Sequence, residues 1–376
     1  MKEFLISPVS TQTFPIVVSA LSLLPEKVIL LSTSQMKKFE SFIKNVLTYK
    51  GIDVEVRYIN PYSRESILKA VEDINSTKLL LNCGTKYTSF ILFDRFGKDA
   101  LLYYTPDGKI INFEGKTVLK VKPDIVDVEL HSAMYGFKIE EEISEINTIF
   151  YRKKMTNYIG INFKKLSTFM KKAFETGYFT KDTPHEFISL ALKHNIIKRS
   201  GKTFPVIDRN YIGGKWFEEF LFLKLTEKDF FDIHIGVKLS WYNSSITNEI
   251  DVIAVKNNRL YLFSCKTGKI NNLTFKHIYE LHELTKRVGG DFGKGYLCVA
   301  SPSIYDKPPE LEKFPNAPRQ PYNPNLPEWK DYFKTPEGKR YRNIHRNSSS
   351  FTFLKRRANL LDITVLTIEE IIGNQI

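Results

Sequence analysis

The run NEIDVIAVKNNRLYLFSCKTG, from Asn248 to Gly268, sets carboxylates, a hydroxyl and an ammonium among apolar, β-branched residues. Asp251 is expected to end one strand, a turn at Lys256 to Asn258 to reverse the chain, and Ser264 and Lys266 to lie on the next strand. The two-residue period of a strand puts Ser264 and Lys266 on one face, and Glu249 and Asp251 on one face of the neighbouring strand. Phosphodiester hydrolysis asks for such a set. Carboxylate oxygens suit a hard divalent cation, Mg²⁺ or Mn²⁺, and a lysine suits the attacking water or the charge on a pentavalent phosphate.

The elements around this hairpin must position it. GGKWFEEFLFLKL reads as a helix, FFDIHIGVKLSW, NEIDVIAVKN and NRLYLFSCKTG as strands, about Asn272 to Val288 as a long helix and KGYLCVA as a strand. The order is αβββαβ. Together with Asp251 and Lys266 it resembles the PD-(D/E)XK nuclease core, whose first helix often adds a carboxylate. The resemblance departs at Ser264, where the family's second acid stands two residues before the lysine. A neutral hydroxyl cannot replace a carboxylate in charge, so another acid must compensate: Glu218 first, then Glu249, with Glu280 third. The implied catalytic set is Asp251, Lys266, Ser264 and Glu218, and the implied metal ligands are Asp251, Glu218 and Glu249.

The N-terminal third alternates short apolar runs (FLIS, KVILLST, VEVRYI, KLLLNC) with helix-length amphipathic stretches, and short strands are expected at ALLYYT, KIINF and Ile125 to Leu130. This is the signature of a doubly wound parallel sheet, whose ligand crevice lies at the carboxyl ends of the strands. Three polar loops fall there. SPVSTQTFP offers Ser7, Ser10, Thr11, Gln12 and Thr13; STSQ offers Thr33 and Gln35; LLLNCGTKYTSF offers Asn82, Gly84, Thr85 and Lys86 at a helix start, where backbone N–H groups favour anions. The last loop resembles the equivalent motif of CARF domains, the Rossmann-like sensors of cyclic oligoadenylates.

Other chemistries fail on spacing. GKT at Gly201 to Thr203 has Ile196 where a P-loop needs glycine, no GxGxxG follows the first strand, and the seven histidines form no HExxH. Cys83, Cys265 and Cys298 lie far apart in apolar runs, as buried reduced thiols do. The length of 376 residues and 42% hydrophobic content fit several globular domains. No apolar stretch is long enough to span a bilayer and the start lacks a signal-peptide pattern, so a cytoplasmic location is expected. The net charge of +13 is the sign that suits a polyanionic partner, and residues 1–135 carry only 17 basic and 15 acidic side chains, so the excess lies further on.

These readings divide the chain into a sensor domain (1–135), charged helical connectors (136–205) and a nuclease-like domain (206–376). Among the connectors, Thr183 is expected to cap a helix that begins at Pro184. An irregular, Pro-rich basic insertion is expected at about 302–350, before a last helix and strand; nine prolines fall between Pro302 and Pro336, and Ser301 to Arg357 hold 12 basic and six acidic residues. With AMYGF closing the first domain, the whole resembles the CARF and PD-(D/E)XK fusion effectors of type III CRISPR systems. That resemblance implies a homodimer, cyclic tetra-adenylate as activator bound by Ser10, Thr11, Gln12, Thr13, Thr33, Gln35, Asn82, Gly84, Thr85 and Lys86, and metal-dependent cleavage of DNA, RNA or both. The competing reading is a ligand-controlled transcription regulator that uses the helices near Phe163 to Ile197 and carries a degenerate nuclease core.

Overall fold

The structure is a computed structural model that describes residues 4–142, 146–241, 245–268, 270, 272–305 and 310–373. The chain forms two compact units, one of Met1–Ile143, Leu225–Leu262 and Glu283–Lys294, the other of Ser144–Lys224, Phe263–His282 and Gly295–Ile376. Among the described residues no helix is long and apolar enough to cross a membrane.

The first unit opens with β1 (Phe4–Pro8), α1 (Phe14–Leu23), β2 (Lys27–Ser32), α2 (Lys37–Tyr49), β3 (Asp53–Tyr58), α3 (Arg64–Lys69), β4 (Thr77–Leu80), α4 (Lys86–Phe96), β5 (Leu101–Tyr104), β6 (Lys109–Asn112) and β7 (Thr117–Lys120). They build a seven-stranded sheet in the order β3-β2-β1-β4-β5-β6-β7, parallel through β5 and antiparallel beyond. Its central strands are covered on both faces, so Leu5 and Ile6, or Val28 and Ile29, are buried in succession where an open sheet would alternate. The strand expected at Ile125 to Leu130 is not one. Asp127 accepts from Leu130 N–H at 2.7 Å and caps a helix, α5 (Val128–Tyr135), which Gly136 ends in the left-handed region before β8 (Phe137–Glu142). An acidic cap outweighs the β-branched pair that precedes it.

In the second unit follow α6 (Ile146–Tyr151), α7 (Lys153–Thr176), β9 (Tyr178–Phe179), α8 (His185–Lys193) and β10 (Phe204–Pro205). Helix α8 starts one residue later than expected: Pro184 is its cap, and the buried Thr183 hydroxyl caps nothing. A turn at Tyr211–Lys215 then leads into α9 (Trp216–Thr226).

Next come β11 (Phe231–Trp241), β12 (Thr247–Lys256), β13 (Arg259–Thr267), α10 (Asn272–Gly289) and β14 (Lys294–Ala300), which is the αβββαβ order read from the sequence. Strands β8, β11, β12 and the start of β13 follow one another in the first unit; the rest of β13, β14 and β15 (Ile363–Thr367) do so in the second. Before β15 lie α11 (Pro327–Tyr332) and α12 (Pro336–Asn359), and α13 (Ile368–Ile372) closes the chain. The proline-rich insertion is thus not wholly irregular. Trp329, Tyr332, Phe333 and Tyr341 bury themselves with Phe314 in a small core of their own, because prolines at the first turns of α11 and α12 start those helices instead of breaking them.

Candidate functional site

At the carboxyl ends of the first sheet, the loops after β1 and β4 are drawn together because their strands are neighbours at the point where strand order reverses. Gly84 has φ +87°, and a Cβ there would lie 2.4 Å from the Pro8 Cβ, so only glycine lets these loops approach so closely. The Cys83 thiol donates to the Gln12 carbonyl at 3.1 Å, and burial pushes that thiol up to about 11, so it is a structural and not a reactive cysteine.

The expected ligand residues divide by what already occupies them. Asn82 imitates a strand residue, donating to the Tyr104 carbonyl at 2.8 Å and accepting from the Tyr104 N–H at 2.7 Å. The buried Thr13 hydroxyl donates to the Met134 carbonyl at 3.0 Å, and Thr85 caps α4 by accepting from Thr88 N–H at 3.1 Å. Ser10 accepts from the Gln12 N–H at 3.1 Å, and Gln12 Oε1 accepts from the Asp291 N–H at 3.0 Å. Thr11, Gln35, Gly84 and Lys86 are exposed, and Thr33 is half-buried before the short turn Ser34–Met36. Lys86 stands at the first residue of α4, beside N–H groups that point out of the helix start.

On β12, Asp251 lies mid-strand and not at its end, since Val252, Ile253, Ala254 and Val255 continue it as a buried central strand. Asp251 is half-buried and Glu249 exposed. Across from Asp251 falls Gly236 (φ +65°), because Ile250 pairs with Val237 and Val252 with Ile235. On β13, Ser264 and Lys266 are half-buried while Phe263 and Cys265 are buried, as the two-residue period requires. Asp251 belongs to the first unit, and Ser264, Lys266 and Glu218 to the second.

Within the second unit, Thr267 Oγ1 donates to the Gly213 carbonyl at 3.0 Å, and Gly214 faces the same hydroxyl. This ties the turn before α9 to the end of β13, so the first turn of α9, with half-buried Glu218, and Lys266 ride on joined segments. The adjacent Glu219 is fully buried and held by both arms of Arg152, with Nε to Oε2 at 2.8 Å. Burial pushes the Glu219 carboxyl up and the guanidinium opposes it. Glu219 is therefore committed to anchoring α9. Among the described residues no three His, Cys, Asp or Glu side chains gather as a metal site. The carboxylates proposed from sequence are hard oxygen donors of the kind Mg²⁺ or Mn²⁺ takes.

The first unit also holds a junction that the motifs did not mark. The β12–β13 turn uses Asn257 and Asn258 at φ +51° and +64°, as a tight hairpin demands. Asn258 is 2% exposed; its side chain accepts from Ile125 N–H (2.7 Å) and Val126 N–H (3.0 Å), its own N–H donates to the Pro123 carbonyl (2.9 Å), and its carbonyl accepts from His131 Nε2. Asp232 reinforces the junction by accepting from Val128 N–H at 2.6 Å. Beyond α10, the GGDF turn packs Phe292 on Phe14 and Tyr104, with ring centres 4.9 and 5.6 Å apart. The dipeptide Asn257-Asn258 was the available sequence signal, since asparagine tolerates positive φ, but nothing in the sequence names its partners.

Residues 4–126 match the model of the Card1 CARF domain, and residues 207–305 that of the Card1-like endonuclease domain. The chain is a CARF domain joined to a Card1-like endonuclease domain. No curated protein matches it in sequence. Its fold is similar to that of Can2 from Sulfobacillus thermosulfidooxidans, solved with cyclic tetra-adenylate, at 20% identity and a TM-score of 0.68 over 97% of this chain and 93% of that one. It is also similar to VC1899 from Vibrio cholerae, at 12% identity and 0.66 over 98% and 95% of the two chains. A type III CRISPR defence DNA nuclease activated by cyclic oligoadenylate matches at 15% identity and 0.50, over 80% of this chain and 45% of that one. Within the CARF domain the candidate ligand loops are those after β1, β2 and β4, and the endonuclease match contains the β12–β13 hairpin and α9. The segment from Asp306 to Asn359, with α11 and α12, lies beyond that match.

Proposed function

We propose that this protein is a nuclease switched on by cyclic tetra-adenylate, acting in the cytoplasm in CRISPR antiviral defence. The observation that carries the reading is the presence on one chain of a CARF match and an endonuclease match, the first presenting an exposed lysine at a helix start on the crevice side of its sheet. Can2, with the same fold, was solved with cyclic tetra-adenylate. The sensor would span 1–135, the helical connection 136–205 and the catalytic region 206–376. Thr11, Gln35, Gly84 and Lys86 offer donors to the activator phosphates, with Ser10, Gln12 and Thr33 at the rim, while Asn82, Thr13 and Thr85 shape the loops. A four-fold phosphate ring is met by a homodimer, which presents each loop twice about its two-fold axis.

In the catalytic region, of the PD-(D/E)XK kind, Asp251, Glu218 and Glu249 are the carboxylates that the sequence assigns to Mg²⁺ or Mn²⁺. When bound, such an ion acts as a Lewis acid toward the scissile phosphate. Lys266 stabilises the charge that builds on the phosphoryl oxygens, and Ser264, on the same strand face, orients a water or a phosphate oxygen through its hydroxyl. The deciding assay incubates the purified protein with Mn²⁺ or Mg²⁺, with and without cyclic tetra-adenylate, on supercoiled plasmid, single-stranded DNA and RNA. Cleavage that needs both metal and activator is the expected result; no cleavage of any substrate under all conditions overturns the reading.

A further inference from the structure

Helix α12 is 24 residues long and carries seven lysines and arginines against one acid, Glu337. At about 1.5 Å per residue it is roughly 36 Å long. Its start is fixed in place: Thr335 accepts from Gly338 N–H at 2.9 Å, Tyr341 is buried against Trp329 and Phe314, and Tyr322 stacks on His345 with ring centres 3.5 Å apart. Its far end is fixed too, since Arg357 Nε donates to the Tyr279 hydroxyl at 2.7 Å and Lys355 pairs with Glu370 at 2.6 Å. Beside these anchors the helix leaves Lys339, Arg340, Arg342 and Arg356 exposed, and among the described residues Lys339, Arg340 and Arg356 pair with no carboxylate. Arg342 lies over the Phe333 ring, and Phe353 is 56% exposed.

We propose that the exposed face of α12 is a backbone grip for the nucleic acid that the endonuclease domain cuts. The four exposed cations named above fall in two groups, around Arg340 and at Arg356, sixteen residues and about 24 Å apart. The helix between them is rich in asparagine, serine and threonine without any acid. Cations at both ends reach phosphates, and Phe353 offers a ring on which an unpaired base stacks. A helix that only needed solubility would mix both signs of charge. Helix α7 is the rival surface, with six lysines and one acid, but it has no arginine of its own to grip phosphate in a fixed geometry, and its exposed ring, Phe174, already lies under the Arg209 guanidinium. The grip also lies outside the part of the chain that matches the endonuclease model, so it adds a contact surface to that domain.

The proposal rests on the nuclease reading, and the test separates the two by measuring binding without cleavage. Fluorescein-labelled 30-mers, as duplex DNA, single-stranded DNA and RNA, are titrated in EDTA at several salt concentrations with the intact protein, with Lys339→Ala/Arg340→Ala/Arg342→Ala, and with Lys154→Ala/Lys165→Ala/Lys172→Ala on α7. The α12 variant should bind the preferred oligonucleotide at least tenfold more weakly, with a salt slope shallower by up to about 2.7 for three lost contacts on duplex DNA. Phe353→Ala should weaken single-stranded binding more than duplex binding. Arg340→Lys/Arg342→Lys should lose less than the triple alanine variant yet not match the intact protein, because lysine keeps the charge without the guanidinium fork. Equal losses in the α12 and α7 variants, or no loss in either, overturn the proposal. Absence of cleavage by an intact protein that still binds through α12 would sink the catalytic reading and leave the grip standing.

Discussion

His131 Nε2 lies 2.9 Å from the backbone carbonyl of Asn258. A carbonyl only accepts, so Nε2 carries the proton, and the buried Nδ1 has no hydrogen-bond partner among the described residues. The ring is stacked on Phe14 and wholly buried, and burial pushes its pKa down to about 4. In the unfolded chain the imidazole titrates near about 6.5. Between those values the unfolded state takes up a proton that the folded state refuses, so stability is full above about pH 6.5 and falls as the pH drops toward 4, by an amount on the order of 3 kcal/mol. Urea midpoints at pH 7 and pH 5 check this: His131→Gln, which keeps a donor but does not titrate, should flatten the difference.

Removing the Asn258 side chain orphans the N–H groups of Ile125 and Val126, which both bond to its oxygen. Asn258→Ala should therefore cost about 2–6 kcal/mol, at roughly 1–3 kcal/mol for each of the two donors left unmade. Asn258→Gly keeps the positive φ and loses the same bonds. If the glycine variant is as stable as the parent in urea, backbone conformation and not bonding is what the asparagine supplies.

The GGDF turn leaves no room for a side chain. At Gly290, φ is +56° and a Cβ would lie 2.4 Å from Gln12 Oε1 and 2.6 Å from the Tyr135 hydroxyl. Gly290→Ala should destabilise by about 1–3 kcal/mol. The same change in a Gln12→Ala background should cost less, with a coupling of at least about 0.5 kcal/mol. Strict additivity in thermal melts would show that the two residues do not press on each other.

Lys266→Ala or Asp251→Asn should abolish cleavage while cyclic tetra-adenylate binding, followed by calorimetry, stays intact. Ser264→Ala should be milder, at most about tenfold, since a hydroxyl gives an orienting hydrogen bond worth about 0.5–1.5 kcal/mol. A serine variant as dead as the aspartate variant would make Ser264 a direct ligand of the metal or water.

Lys86→Glu puts repulsion where the activator phosphates would sit, twice in a homodimer. The activator concentration for half-maximal plasmid cleavage should rise by orders of magnitude, with basal cleavage unchanged. An unshifted titration would reduce the loop at Asn82 to Lys86 to a helix start.

Periodicity and composition were enough to read the parallel sheet, the αβββαβ order and the shared face of Ser264 and Lys266, because each depends on residues close in sequence. Three readings failed where a single polar residue decided the outcome. Asp127 turned an apparent strand at Ile125 to Leu130 into the start of α5, Pro184 displaced Thr183 as the cap of α8, and prolines began helices inside a segment that looked irregular. The roles of Asn82, Thr13 and Thr85 were also hidden. Each is a polar residue in a candidate ligand loop, and only the fold shows that its side chain hydrogen-bonds within the protein. The junction at Asn258 was out of reach for a simpler reason, since its partners lie more than 120 residues away in sequence.

The compact unit that contains the CARF strands is woven from three separate stretches of chain, the second and third carrying β11, β12 and the GGDF turn. No single cut releases it whole. A protein ending at residue 143 would keep the seven-stranded sheet yet lose Asn258 from Ile125 and Val126 and lose Phe292 from Phe14 and Tyr104, exposing a wound on the face that should be packed. For evolution the same weaving forbids exchange of sensors by one crossover in the connecting helices: a new CARF domain would arrive without the turn and the hairpin tip that complete it. Sensor and effector must be inherited together, and changes in one select for matching changes in the other.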